Sequence, residues 1–457
     1  MPLKYAHRRN WPTDQVCRPS SGDAAGSARV PSRPPRQGLL CFGPVLLPLL
    51  PALLLAGPQQ VAGQGAPGGD EREPFLPLFD ARARYEAVES GAFELDARAL
   101  TLRVRTGLDA RLHQRLGVLV EVDANQPLGM RDFNSTVNSR TQYPVVVDPQ
   151  SRRLNRLQIS LRFPEGRHLV VGRQRVIHDD ARFVGNVGFR QNEQTLDAIR
   201  LQTPLPGQAA LDYVYSWGVN RIFGSESPVG RENARLHMAH LSRAVPGGTV
   251  AGFGYWWTFN EALAAQSART LGARFRQSRP WGEDLRFHFR ASAANQQPRG
   301  AGSSDASLVY ARLEGGLAHP DTGFSASMNW ERLGGNGDRA FAFPLATLHA
   351  WQGYADVFLA TPPEGLRDLR FEMAWDGTAL GERLPTRIAF RRHGFQSVQG
   401  TAGPLGEEWN VELRVVPRPG LAVLARMAAF TTDAPGSAAP WGTDVRKIWV
   451  SAEYVHP

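Results

Sequence analysis

From residue 75 onward, apolar residues recur at every second position in segments of about ten residues, and about eighteen such segments follow one another along the chain. Leu157, Ile159, Leu161 and Phe163 alternate with Gln158, Ser160 and Arg162. Phe324, Ala326, Met328 and Trp330 alternate with Ser325, Ser327, Asn329 and Glu331, and Leu369, Phe371, Met373 and Trp375 with Arg370, Glu372, Ala374 and Asp376. A period of two puts one set of side chains on each face of a strand, so each segment predicts a sheet element with one oily and one wet face. No stretch past residue 60 has helix-period spacing, which disfavours helix bundles and doubly wound α/β folds.

The connections choose between a soluble β fold and a membrane barrel. Short turns stand at every second junction: PEG at 164–166, PLPG at 204–207, VPGG at 245–248, RPWGE at 279–283, HPDT at 319–322 and PRPG at 417–420. Longer loops are expected between them, at 128–153, 178–194, 296–304, 335–364, 397–406 and 431–444. That alternation predicts an all-β transmembrane, antiparallel up-and-down barrel with short periplasmic turns and long extracellular loops. A secreted jelly roll or β-solenoid is the soluble alternative and gives no reason for it. The last segment, Ile448, Val450, Ala452 and Tyr454 alternating with Lys447, Trp449, Ser451 and Glu453, suits a strand that closes a barrel. Trp256, Trp257, Trp330, Trp375 and Trp449 are candidates for interfacial girdles.

The N-terminal part has a different grammar. Residues 38–57 are an apolar run behind the basic stretch RVPSRPPRQ, with small residues at Val61 and Gly63, the layout of a secretory signal peptide cleaved near Gly63. The expected organisation is a leader over 1–37, the signal region over 38–63, a linker over 64–74 and the barrel over 75–457. Both cysteines, Cys17 and Cys41, precede the barrel, which removes disulfide frameworks and thiol or Cys-metal chemistry from it. The formal charge is +9, of which residues 1–63 carry a surplus of five, leaving a barrel balance unlike that of a nucleic-acid binder. Lysine occurs only at Lys4 and Lys447, so nearly every cation is a fork-shaped guanidinium.

If apolar residues face lipid, the alternate positions face the pore. Arg82 and Arg84 oppose Ala81, Ala83 and Tyr85; Arg103 and Arg105 oppose Leu102 and Val104; Arg274 and Arg276 oppose Ala273 and Phe275; Arg286 and Arg290 flank His288. Lumen carboxylates are expected at Asp80, Glu86, Glu121, Asp123, Glu331 and Glu372 to pair with them. An arginine-rich wall in a narrow, low-dielectric pore favours anions. His178, Asp179 and Asp180 invite a metal or general-base reading. Adjacent strand residues point to opposite faces, though, and no HxxxH pair, G-x-S-x-G elbow or phosphate loop accompanies them. No catalytic residue, metal or cofactor is therefore assigned, and an outer-membrane hydrolase is the least favoured reading.

The stretches GRQRVIHDDARFVGNVGFRQNEQTLDAIRL at 172–201, PLATLHAWQGYADVFLATPPEGLRDL at 344–369 and YPVVVDPQSRRLNR at 143–156 resemble the alginate export family of bacterial outer-membrane proteins. The resemblance implies a monomeric barrel of about eighteen strands that conducts an anionic polysaccharide and works with periplasmic secretion components. It also implies a constriction of arginines with a few acidic and amide groups, with Arg173, Arg175, Asp179, Asp180, Arg190, Asn192 and Glu193 at the matching positions. The long leader and the displaced terminal aromatic, Tyr454, depart from the family pattern. The alternative is a porin, general or anion-selective, that passes small anions or other small solutes through the outer membrane; in either case the barrel's surroundings are outer-membrane lipid.

Overall fold

A computed structural model describes residues 74–302, 304–380, 383–399 and 403–456. The leader, the signal region and all of the linker but Pro74 lie outside the described residues. The period-two segments form eighteen strands: β1 (Phe75–Ser90), β2 (Ala97–His113), β3 (Leu116–Asp132), β4 (Ser151–Arg162), β5 (His168–Gln174), β6 (Thr195–Leu205), β7 (Ala209–Asn220), β8 (Arg231–Val245) and β9 (Gly248–Phe259) in the first half. The second half holds β10 (Ala268–Trp281), β11 (Leu285–Pro298), β12 (Leu308–Ala318), β13 (Phe324–Leu333), β14 (Leu366–Ala379), β15 (Leu384–Ser397), β16 (Pro404–Arg418), β17 (Leu421–Thr432) and β18 (Val445–His456).

Each strand pairs antiparallel with its sequence neighbours, and β1 pairs with both β2 and β18, from Phe79↔His456 to Ser90↔Val445, so the sheet closes on itself. Closure leaves no strand edge, which matters because hydrocarbon offers no partner to an open N–H or C=O. The apolar set of the alternation covers the outside: Val122, Leu157, Ile159, Met328 and Val450 are each more than 40% exposed. Their inward neighbours Glu121, Asp123, Asn155 and Asn329 are at most 5% exposed. An outer surface this apolar belongs in a bilayer, and the protein is a transmembrane barrel of the outer-membrane type.

Short connections gather at one end and longer ones at the other, as expected, with a further short turn at 114–115. Between β8 and β9 only Pro246 and Gly247 intervene, and Gly247 takes the left-handed conformation (φ +82°) that this tight turn requires. Strands β3 and β4 run further than the turn residues suggest, which shortens the expected 128–153 loop to 133–150. Trp256 and Trp330 lie outward near the loop end, and Trp375 lies outward near the turn end, where girdles belong. Trp257 and Trp449 correct the girdle expectation, being 2% and 1% exposed inside the barrel. Parity decides Trp257: it shares the inward face of β9 with Phe253, Tyr255 and Phe259, its ring stacked 5.3 Å from Tyr255.

Those inward aromatics break the simple rule that the lumen is polar. The reason is tertiary. Segments 175–194 and 334–365 fold into the barrel and bring Phe183, Phe341, Phe343 and Phe358 against Phe253, Tyr310, Phe395 and Phe430 of the wall. The Phe183 ring centre is 4.7 Å from Phe253 and 5.3 Å from both Tyr310 and Phe343; each such pair contributes about 1 kcal/mol beyond area burial. The two segments also pair with each other. Gly185 N–H donates to Leu345 O at 2.8 Å and Thr347 N–H to Ala181 O at 3.0 Å. A Cβ on Gly185 would lie 2.3 Å from Thr347 Oγ1, so only glycine permits this approach.

Candidate solute pathway

Segment 175–194 lies against the wall made by β1 to β4, and several of the arginines expected in the lumen hold it there. Arg82 donates to Gly188 O and Gln191 Oε1, both at 3.0 Å, and to Arg190 O. Arg84 donates to Phe189 O and pairs with Asp148. Arg105 donates to Gln191 O at 3.3 Å and lies 3.7 Å from Glu193. Glu193 is the hub of this layer, fully buried and accepting from Arg175 and Asn155 at 2.6 Å and from Asn186 at 2.8 Å. Burial alone would raise its carboxyl, but the guanidinium groups of Arg105 and Arg175 hold it well below the usual carboxylate range. Arg190 reaches Glu86 at 3.2 Å and Asp356 of the other inward segment at 3.1 Å. Asn192 donates to Ile222 O at 3.0 Å and accepts from Ser151 at 2.8 Å.

Across the lumen a cavity of about 1210 Å³ remains open, walled mainly by inward residues of β10 to β17. Arg276, Arg290, Arg312, Arg370, Arg391 and Arg426 face it from six strands. Their carboxylate partners are few and shared: Glu314 takes Arg312 at 2.5 Å, Arg290 at 2.9 Å and Arg370 at 3.2 Å. Glu372 takes Arg391 and Glu412 takes Arg426, each at 2.7 Å. With Arg82 and Asp180 included, the lining holds seven arginines and four carboxylates, an excess of three positive charges. Aromatic rings lie beneath several of them: Arg312 is 4.6 Å from the Trp351 ring centre, and Arg391 and Arg426 are 5.0 and 4.5 Å from that of Tyr354. A stacked guanidinium keeps its N–H edge available to an anion.

No protein-family model matches the sequence, and no curated protein matches it. Solved structures do match the fold. Acinetobacter baumannii OccAB4 superposes with a TM-score of 0.64 at 12% identity, covering 84% of this chain and 99% of that one. OccAB2 of the same organism gives 0.64 at 12%, over 83% and 98%. Pseudomonas aeruginosa OpdK, crystallised with vanillate, gives 0.62 at 12%, over 83% and 98%. The fold is that of an outer-membrane porin. The Occ and Opd proteins are porin channels and not enzymes, in keeping with a lumen to which no catalytic group was assigned. They also overturn the alginate-export resemblance: the structural neighbours are small-solute porins, and neither the polysaccharide nor a secretion apparatus is supported.

The expected site residues divide between the two walls. Arg82, Asp180, Arg276 and Arg290 line the cavity, while Asp179 and Arg274 stand in an adjoining recess. Asp180 bonds Arg274 at 2.9 Å and Arg312 at 2.8 Å, and although burial would raise it, these two cations hold its carboxyl down at about 2. Arg286 is exposed on the same face of β11 as Arg290, nearer the short turn. Arg84, Arg105, Arg175, Arg190, Asn192 and Glu193 are built into the layer that anchors the inward segment, and Arg103 bonds Asp80 and Glu453 at 2.5 and 2.7 Å. Arg173 is elsewhere. It pairs with Leu157 and Asp197, in register with outward Val171 and Ile199, so it lies on the outer wall. There it bonds Asp197 at 2.8 Å, and Asp197 also takes Arg231. His178 and Asp179 meet through His240: His178 Nδ1 is 3.2 Å from Tyr255 Oη and its ring centre 5.4 Å from that of His240, whose Nε2 is 2.8 Å from Asp179. The backbone bends there, Asp179 taking φ +51°, so the rule of opposite faces along a strand does not apply. Arg312, Arg391 and Arg426 are cavity residues that the sequence reading did not single out, and Arg370, placed on the wet face of its segment between Leu369 and Phe371, was not counted among the site residues.

Proposed function

We propose that the barrel passes small anions across the outer membrane, with the β10 to β17 wall as their path. One observation carries this reading: the cavity lining has seven arginines against four carboxylates. In a confined pore with low-dielectric walls such an excess concentrates anions. Because Glu314, Glu372 and Glu412 each already hold a guanidinium, an incoming carboxylate exchanges with an internal partner and is not trapped by a bare cation. The rings of Trp351 and Tyr354 add apolar faces beside the N–H donors, a pairing suited to a small aromatic carboxylate, and OpdK was crystallised with one.

Reversal potentials of the full chain in planar bilayers across a salt gradient test the reading. Anion preference is expected, together with a fall in ion current when a small aromatic carboxylate is added. Cation preference would overturn it, and equal passage of both signs with no response to the carboxylate would leave general diffusion.

A further inference from the structure

The outer wall carries an arrangement that solute passage does not use. Arg332 of β13 and Arg367 of β14 stand directly opposite each other in the antiparallel ladder, one position outside the Glu331↔Asp368 pair. Both share the outward face with Trp330 and Leu369, the latter 47% exposed. Like charges facing across a ladder repel. Neither has a carboxylate within ion-pair distance among the described residues; Arg367 donates to Gln396 Oε1 at 3.3 Å and leaves its positive charge uncompensated. At the seam the corresponding level is balanced, with Arg446 opposite Glu89.

Depth gives the pair its meaning. Arg332 and Arg367 are eight residues from Phe324 and Trp375, the aromatics at the short-turn end of the same two strands. At ordinary barrel tilt eight residues rise roughly 20 Å, close to the height of an outer-membrane barrel's apolar band. The two guanidinium groups therefore sit just beyond the external girdle marked by Trp330, at the level of lipid headgroups. Juxtaposed planar forks at that level match the tetrahedral oxygens of a phosphate better than any neutral headgroup.

We propose that Arg332 and Arg367 form a docking site for the phosphate of an anionic outer-leaflet glycolipid, which supplies the counter-charge the protein lacks. The inference depends on the barrel's place in the outer membrane and not on what passes through its lumen.

Native mass spectrometry of the full chain, loaded in detergent with bisphosphorylated lipid A or with its dephosphorylated form, tests it. The parent should retain the phosphorylated lipid preferentially. Arg367→Gln should lower retention about fivefold and Arg332→Gln with Arg367→Gln about 25-fold, as expected for loss of one and two surface arginines. Arg367→Glu gives a second reading, because it creates an internal ion pair with Arg332. That variant should unfold at a higher temperature than the parent in lipid-free detergent and still lose the lipid. Equal retention of both lipids by the parent, undiminished retention by Arg367→Glu, or displacement of the lipid by millimolar inorganic phosphate would overturn the proposal. Bilayer conductance and ion selectivity should stay at parent values in all variants, since neither residue faces the lumen.

Discussion

Arg105 and Arg391 both point into the lumen from the middle of a strand, yet they do different work. Arg105 donates to the backbone of segment 175–194 and lies in a buried layer with Asp123 and Glu193. Arg391 lines the open cavity, with Glu372 on one side and Tyr354 on the other. What separates them is how completely a loop covers them: Arg391 also donates to Tyr354 of segment 334–365, yet keeps a side on the open cavity. On the wall of β1 to β4, arginine is an anchor, and its energetics are those of a buried ion pair, costly to desolvate and costly to break. On the wall of β10 to β17 the same residue borders an open cavity, where an incoming anion can compete with its carboxylate partner. A lumen rich in arginine is therefore two populations, and the second, joined at the cavity's edge by Arg82, is the one that offers charge to a solute.

The comparison breaks most sharply at Glu193. Replacing Glu193 by Ala leaves Arg105 and Arg175 without their shared carboxylate, and removing one partner of a buried pair costs about 3–5 kcal/mol. Segment 175–194 should lose hydrogen-exchange protection, and single-channel conductance should rise as it leaves the lumen; unchanged protection would mean that Glu193 is not the anchor.

Acid should act on the same segment through His178. Burial pushes its imidazole down to about 4 from an ordinary 6.5, helped by the nearby Arg200 and His240 and against the pull of Asp212 and Asp179. A folded-state value below the unfolded one means stability that is whole above about pH 6.5 and declines as pH falls toward 4, by about 3 kcal/mol in all. His349, also pushed down to about 4 by burial, titrates in that window and Asp180 does not. Protease cutting within 175–194 should rise between pH 7 and 4.5, and His178→Gln should remove part of that rise. A variant as acid-sensitive as the parent would assign the whole effect to His349.

The open wall should answer in selectivity and not in stability. Arg391→Glu with Arg426→Glu reverses two charges at the cavity and should shift the anion-to-cation permeability ratio on the order of tenfold toward cations. Melting of the barrel should change little. The smallest expected effect is the most pointed: Arg173→Glu, on the outer wall, should leave reversal potentials at the parent value. A shift there as large as at Arg391 would place Arg173 back in the lumen.

Much of the barrel was legible in the sequence because a period of two is imposed by the backbone and repeats with each strand. Arg82, Arg103, Arg276 and Arg290 were placed inward correctly by that period alone. Arg173 was misplaced although the signal was present: Leu169, Val171 and Arg173 share one parity, and a rule that sends apolar residues outward sends all three. The motif resemblance drew it inward against its own strand. What no spacing could reveal is which inward arginines are covered. That depends on segments 175–194 and 334–365 meeting through Gly185 and Thr347, a contact between residues 162 positions apart.

The closure of the sheet raises a question of alignment as well as of edges. Slipping β18 by two residues against β1 would keep every side chain on its proper face, so hydrophobic patterning cannot reject the error. Arg103 can. It reaches Asp80 on β1 and Glu453 on β18 at once, and those carboxylates come within range of one guanidinium only when Arg82 stands opposite Glu453. A strand shifted by two would carry Glu453 about 7 Å along the seam, beyond that reach. The triad thus serves as a checksum on the join between the first and last strands, verifying a registration that greasy and polar faces leave ambiguous.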